Sequence, residues 1–187
     1  FPSNYPFSPP TLKYLTNDGS TRFNPNLYRS GKVCISILNT WKGEQWTSCQ
    51  TIRSVLLTLV TVLNETPLIN EPGISKTHSD VKRYNDYIKY KNYEVAMYNV
   101  LSKRCLPNKH ISFYPLIKKH FKENQKNILH NLKKDMKKYE NKLAKIDDDL
   151  IESERYYKTR IYNMCCLPDY EKLTKSLEKE FNNIKLK

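Results

Sequence analysis

No stretch of the 187 residues reaches the roughly 18 consecutive apolar side chains that a membrane-spanning helix requires. The longest greasy segment, Val55 to Leu63, is interrupted by Thr58 and Thr61 and suits a buried helix. The first residues do not read as a basic-then-apolar secretory signal. Paired cysteine spacing is lacking as well. The five cysteines (Cys34, Cys49, Cys105, Cys165 and Cys166) are odd in number and contain no CxxC, which argues against a disulfide framework or a zinc site. Reduced thiols in an intracellular compartment, cytoplasmic or nuclear, fit better. The four histidines (His78, His110, His120 and His130) offer no compact metal pair, since His120 and His130 stand ten apart on a predicted helix. No internal repeat is present.

Carboxylates are outnumbered. Against 32 Lys and Arg stand 19 Asp and Glu, for a formal charge of +13. Such a charge permits contact with nucleic acid or another acidic surface. It is concentrated late in the chain, over Lys118–Lys145, where it reads first as the solvated face of a helix. No recognised nucleic-acid motif accompanies it, so neither nucleic acid nor a membrane is the expected partner.

Turn chemistry and periodicity divide the chain. Tyr5-Pro6-Phe7-Ser8-Pro9-Pro10 is predicted to be extended, because each proline bars helical backbone from the residue before it. Thr11–Leu15 reads as a short strand, Asn17-Asp18-Gly19-Ser20 as a turn, and Thr21-Arg22-Phe23 as the return of a hairpin. Asn24-Pro25-Asn26 breaks regular structure. Ser30-Gly31 makes another turn just before Lys32-Val33-Cys34-Ile35, so Cys34 is expected on irregular backbone.

A buried helix is predicted over Thr51–Leu63, with Ile52, Val55, Leu56, Leu59, Val60 and Leu63 at helical spacing and Thr47 or Ser48 as cap. A second helix spans Asp80–Leu101, with Tyr84, Ile88, Val95 and Tyr98 along one side. Beyond Pro107 the pattern predicts helices over Ser112–Tyr139, Asp147–Tyr162 and Tyr170–Ile184, reset by Leu167-Pro168-Asp169.

The strongest constellation is ordered rather than local. Tyr5-Pro6-Phe7-x-Pro9-Pro10 is followed by Asn24-Pro25-Asn26, by Cys34 eight residues beyond Asn26, by Trp46 before a helix and by Glu71-Pro72 after it. This set closely resembles the catalytic core of ubiquitin-conjugating (E2) enzymes: YPFxPP, then HPN, then a cysteine eight residues after that asparagine, then a tryptophan. Arg22-Phe23-Asn24-Pro25-Asn26-Leu27-Tyr28, Gly31-Lys32-Val33-Cys34-Ile35-Ser36-Ile37-Leu38, Thr40-Trp41-x-Gly43-x-x-Trp46 and Asn70-Glu71-Pro72-Gly73 depart from small E2s. They are similar to the large subclass that includes the C-terminally extended E2 loaded by the alternative ubiquitin-activating enzyme and the inhibitor-of-apoptosis hybrid E2s. The resemblance covers Phe1 to about Leu101.

The resemblance implies that Cys34 is the thioester acceptor and that Asn26 supplies an oxyanion donor or supports the loop. It implies that Glu71 orients an incoming lysine. Asn24 stands where the family has His, a position that is mainly structural, and is expected to brace the loop. Trp41 and Trp46 are expected to pack beside the active-site segment, and the remaining cysteines to be ordinary thiols. The implied partners are ubiquitin or a ubiquitin-like modifier, an activating enzyme (E1), a ligase (E3) and substrate lysines. No metal or organic cofactor is implied.

The fold class expected is α+β: a ubiquitin-conjugating core with an antiparallel sheet and packed helices over residues 1–104, followed by an all-α, lysine-rich extension over residues 105–187. E2 cores begin with an amphipathic helix and two strands before the YPFxPP strand. The core here is therefore expected to lack that helix and those strands, the chain being a fragment or one numbered from within a longer protein. A catalytically inactive E2-like docking module with basic helices is the alternative reading.

Overall fold

The computed structural model describes residues 1–104 and 108–184. Cys105, and with it the expected boundary at 104/105, lies outside the described residues. The chain forms two compact units, Phe1–Ile88 and Lys89–Lys187. The class is α+β, as expected: isolated antiparallel bridges, a two-stranded antiparallel sheet and helices.

In the first unit, side chains and tight turns use many of the backbone donors that a sheet would need. Residues 3–8 are turns rather than extended chain, with the Tyr5 N–H donating to Pro2 O (3.1 Å) and the Phe7 N–H to Asn4 O (2.8 Å). The turn at 17–20 forms as predicted. Asn17 Oδ1 accepts from the Gly19 N–H (3.0 Å), and Asp18 Oδ1 from the N–H groups of Ser20 and Thr21 (3.0 and 2.7 Å). The hairpin beyond it does not form. Asp18 takes the first donors of the returning segment, the Thr21 N–H and the Thr21 hydroxyl (3.1 Å). Lys13 instead pairs with Lys32 across one antiparallel bridge, and the Tyr14 N–H donates to Gly31 O (2.7 Å).

Helix α1 runs over Ile52–Val62. Its cap is Thr51 rather than Thr47 or Ser48: Thr51 and Ser54 exchange side chain to backbone bonds in a capping box, with the Thr51 N–H on Ser54 Oγ at 3.4 Å. The expectation of a buried helix is corrected. Val55 alone is fully buried, whereas Leu56, Leu57, Val60 and Leu63 are 53–70% exposed. A helix apolar on all sides needs cover on all sides. The described residues of this unit supply one layer (Leu27, Val33, Ile35, Ile37, Leu38 and Trp46), and it lies against Val55, Leu59 and Val62.

Helix α2, Asp80–Lys91, continues through a π-helical stretch, Asn92–Tyr98, into α3, Asn99–Leu101, so the predicted Asp80–Leu101 span is helical throughout. Tyr84, fully buried within the first unit, donates its hydroxyl to Arg22 O.

The second unit is built on α4 (Tyr114–Leu143), α5 (Asp148–Glu154) and α6 (Tyr170–Asn183). Pro115 lies in the first turn of α4, where its missing N–H costs no helical bond. Asp169 caps α6 by accepting from the Lys172 N–H (2.9 Å). Phe121 and Leu132 of α4 meet Leu173, Leu177 and Phe181 of α6 in a core completed by Tyr90, Tyr93, Leu101, Tyr170 and Ile184. Within it the buried Asp135 carboxylate accepts from Lys89 Nζ (2.7 Å) and the Tyr93 hydroxyl (3.0 Å). The opposite side of α4 carries its lysines outward, with Lys119 and Lys133 side chains 65% and 54% exposed.

One predicted helix is shorter than its pattern. After Glu154 the chain turns into a small antiparallel pair, β1 (Tyr157–Lys158) with β2 (Cys165–Cys166). Tyr162 and Asn163 adopt left-handed backbone (φ 65° and 47°), which a continuing helix excludes. Thr159 Oγ1 holds the turn by donating to Ile161 O (2.7 Å) and accepting from the Met164 N–H (3.1 Å). The extension is thus helical with one hairpin.

Burial pushes the Tyr90 phenol up to about 12 and holds Tyr93 and Tyr170 well above the usual phenol range as well. These groups stay protonated in the folded chain where the unfolded chain has lost its protons, so the linked stability is complete below pH ~10 and is lost as pH rises. Urea titrations followed by circular dichroism at stepped pH should therefore show stability falling between about pH 10 and 12. A flat profile across that window would contradict the burial of these tyrosines.

Candidate functional site

Cys34 and Asn26 close a loop on each other. The Cys34 N–H donates to Asn26 O (2.8 Å), and Asn26 Nδ2 donates to Cys34 O (2.6 Å). Between them the Tyr28 N–H bonds Lys32 O and the Gly31 N–H bonds Tyr28 O, both at 2.9 Å. The eight-residue spacing is the length of this closed loop. Gly31 sits at its tip with φ +90°, and a Cβ there would come within 2.8 Å of Tyr14 O. Arg22 fixes the Asn24-Pro25-Asn26 turn from outside. Its guanidinium donates to Pro25 O (2.6 Å) and Asn24 O (3.4 Å) and stacks on the Tyr28 ring (3.7 Å to the centroid).

The thiol is covered. Cys34 is 3% exposed, and Sγ donates to Thr40 O at 2.9 Å. Thr40 reaches this position because the chain after Cys34 folds back through a 3₁₀ turn, Ser36–Leu38, and a left-handed Asn39 (φ 57°). The Thr40 hydroxyl then engages Val33 O (2.9 Å), the Ile35 N–H (3.0 Å) and Ile35 O (3.0 Å). Asn39 Oδ1 accepts from the Trp46 N–H (2.8 Å), and the Trp46 indole donates to Pro6 O (2.7 Å), tying the segment to the YPFxPP turn. Trp46 is buried. Trp41 is 46% exposed and does not pack as expected.

Asn24, nearly fully buried, connects this loop to the end of α1. Its Oδ1 accepts from the Asn26 N–H (2.9 Å) and from Asn70 Nδ2 (3.4 Å), while its Nδ2 donates to Val62 O (2.9 Å). Asn70 Nδ2 also donates to Val62 O (2.9 Å). Asn70 ends the 3₁₀ turn Pro67–Asn70, and Glu71 follows it, half-buried, with its N–H on Leu68 O (3.0 Å). Hydrogen bonds therefore run from Cys34 through Asn26 and Asn24 to Asn70, the residue beside Glu71.

An amide nitrogen carries two hydrogens. One Asn26 N–H is used on Cys34 O, and Asn26 Oδ1 is buried with no hydrogen-bond partner among the described residues. Among the described residues no group of three or more His, Cys, Asp or Glu side chains is placed to hold a metal ion. No helix among them is long and apolar enough to cross a membrane.

The model of the ubiquitin-conjugating enzyme family matches residues 1–95, which include Asn26, Cys34 and Glu71. The chain belongs to the ubiquitin-conjugating enzyme family. It is 44% identical over 107 residues to ubiquitin-conjugating enzyme E2 Z of Xenopus tropicalis, covering 56% of this chain and 34% of that protein. The human E2 Z is 42% identical over 107 residues, covering 56% of this chain and 30% of that protein. The human dual E2 ubiquitin-conjugating enzyme/E3 ubiquitin-protein ligase BIRC6 is 51% identical over 85 residues, 41% of this chain and 2% of that protein. The chain thus spans about a third of the length of the E2 Z proteins it matches.

Three residues of the site have no role that the sequence alone assigns. Thr40 and Asn70 lie inside the motif blocks but carry no chemical signature of their own, since a threonine hydroxyl and a second asparagine amide gain their roles only from what the fold brings near. Arg22 is likewise one arginine among many basic residues. Cys49 and Cys165 are exposed, and Cys166 is partly covered.

That contrast is measurable. Iodoacetamide should label Cys49 and Cys165 well before Cys34 in the folded chain, because alkylation requires an accessible thiolate. Thr40→Val removes the hydroxyl that holds the covering segment and should raise the Cys34 rate severalfold. Equal initial rates at Cys34 and Cys49 would contradict the closed arrangement.

Proposed function

We propose that this chain accepts ubiquitin or a ubiquitin-like modifier on Cys34 from an activating enzyme and passes it to a substrate lysine or to a ligase. Residues 1–104 form the catalytic core in this reading, and residues 105–187 the extension. The observation that carries it is the reciprocal pair of hydrogen bonds between Asn26 and Cys34, within a stretch that matches the family.

The Cys34 thiolate attacks the thioester carbonyl at the modifier's C-terminal glycine. A new C–S bond forms, the activating enzyme's C–S bond breaks, and its cysteine leaves as a thiolate. In the second step a lysine amine attacks the same carbonyl, a C–N bond forms, Cys34 leaves as a thiolate and the amine's proton passes to a base. A ligase cysteine in place of the amine gives a further transthiolation. No ATP is consumed in either step.

The roles are those the resemblance implies, and the bonds around Asn26 support its part. Asn24 and Arg22 hold the loop, so the Asn26 amide has a fixed position at the Cys34 backbone. The second Asn26 N–H has no other partner among the described residues and is assigned to the oxyanion of the tetrahedral intermediate. One such fixed donor stabilises a developing oxyanion by about 3 kcal/mol. Glu71, adjacent to Asn70, is assigned to positioning the lysine or accepting its proton. Thioester formation requires the segment around Thr40 to move, because Sγ is covered in the resting chain.

Incubation with activating enzyme, modifier and ATP should give an adduct cleaved by reducing thiol, and Cys34→Ala should abolish it. An adduct that survives Cys34→Ala refutes the assignment. Failure to load with any of a panel of activating enzymes and modifiers favours the E2-like docking module instead.

A further inference from the structure

The second unit holds a cavity of about 470 Å³ where the C-terminal half of α4 meets the chain entering α6. Met136, Tyr139 and Glu140 line it from α4, where spacings of three and four residues put them on one face. Leu167, Pro168 and Tyr170 complete its apolar and aromatic lining.

The aromatic wall is fixed in advance. Tyr139 donates its hydroxyl to Arg155 O (2.6 Å), and its ring packs against those of Tyr157 and Tyr170 (centroids 5.5 and 5.6 Å apart). A tyrosine face is electron-rich and attracts a cation within about 6 Å of the ring centre. The Met136 thioether beside it is polarisable and adapts to an apolar stem.

The charges around the cavity run against those of the chain. With 32 Lys and Arg to 19 Asp and Glu, carboxylates have an excess of possible partners. Yet the cavity is lined by Glu140, Asp169 and Glu171 against Arg155 alone. Arg155 is engaged with Glu152 (3.3 Å), and Glu171 with Lys175 (2.5 Å). Glu140 has no cation within 4.0 Å among the described residues. Asp169 gives Oδ1 to the Lys172 N–H, and no hydrogen bond or ion pair among the described residues reaches its other oxygen. An electron-rich wall, an apolar lining and carboxylates left without cations together fit one ligand chemistry, a cation on a long apolar stem.

We infer that this cavity is a docking site for a lysine or arginine side chain in an exposed segment of a partner protein. The methylene stem lies along Met136, Leu167 and Pro168, and the charged head meets the Tyr139 face and the carboxylates of Glu140 and Asp169. The volume leaves room for the backbone on either side of that residue, which favours a polypeptide over a free amine. The inference goes beyond the proposed function and does not depend on it, because no residue of the Cys34 loop takes part.

The test is a titration of the nitrogen-15-labelled full chain followed by amide chemical shifts. Salt is held at about 0.15 M, so that the basic surface elsewhere is screened. The probes are short Gly/Ser peptides with a central Lys, Arg, norleucine or Glu, together with spermidine. Lys and Arg peptides should shift the signals of Tyr139, Glu140, Leu167 and Asp169 saturably, and norleucine and Glu peptides should leave them in place. Glu140→Gln should weaken binding by roughly threefold or more, and so should Tyr139→Leu, whereas Tyr139→Phe keeps the ring face and should retain binding. Glu140 is exposed and makes no side-chain bond among the described residues, so Glu140→Gln gives the reading even where Tyr139→Leu does not fold.

Equal shifts with Lys and norleucine peptides, or shifts confined to residues outside the cavity, overturn the inference. Undiminished binding by Glu140→Gln overturns it as well. Spermidine competing as strongly as the peptides makes the cavity a polyamine site and overturns the assignment of a protein partner.

Discussion

Two hydrogen bonds across an eight-residue loop, from the Cys34 N–H to Asn26 O and from Asn26 Nδ2 to Cys34 O, set the position of everything else at the site. The loop can close at this length because Gly31 takes a backbone conformation that costs other residues on the order of 1–2 kcal/mol. It stays closed because Arg22, Asn24 and Asn70 use their side chains on its carbonyls, its N–H groups and the last turn of α1. Removing a partner from the buried Asn24 amide would cost about 1–3 kcal/mol, so several bonds hold the arrangement rather than any one.

The same economy explains why the segment around Cys34 has so little regular structure. Asx and threonine side chains take donors and acceptors that a sheet ladder would use, and the chain is then free to wrap around a single cysteine. The covering of Sγ by Thr40 is a direct product of that wrapping. Cys34 differs from Cys49 and Cys165 in being enclosed, so of these three thiols it is the least accessible to oxidants and electrophiles in solution. The second unit is stabilised differently, by apolar faces of α4 and α6 around buried tyrosines and the Asp135 carboxylate.

What was legible in the sequence follows from these differences. The long helices were readable because their periodicity is the packing: Phe121, Leu132, Leu173, Leu177 and Phe181 recur at helical spacing and are the core. The turn at 17–20 was readable because Asn and Asp bond locally. The hairpin after it was not, because Asp18 competes for the very donors a returning strand needs. The burial of α1 was misread from composition, since an all-round apolar pattern says what a helix can bury and not what covers it. The Tyr157–Cys166 hairpin was hidden because Tyr162 and Asn163 carry no glycine to announce left-handed backbone. At the site, the ordered motifs and the spacing from Asn26 to Cys34 picked out the residues, while Thr40, Asn70 and Arg22 became visible only through their bonds.

The central claim is that the enclosed cysteine, and not an exposed one, carries the modifier. The direct measurement is a single-turnover loading reaction on the chain with all five cysteines present, followed by proteolysis under non-reducing conditions and mass spectrometry of the thioester-linked peptide. The account predicts the modifier's C-terminal glycine on the peptide containing Cys34. Recovery of the linkage on Cys49 or Cys165, with Cys34 unmodified, would contradict it.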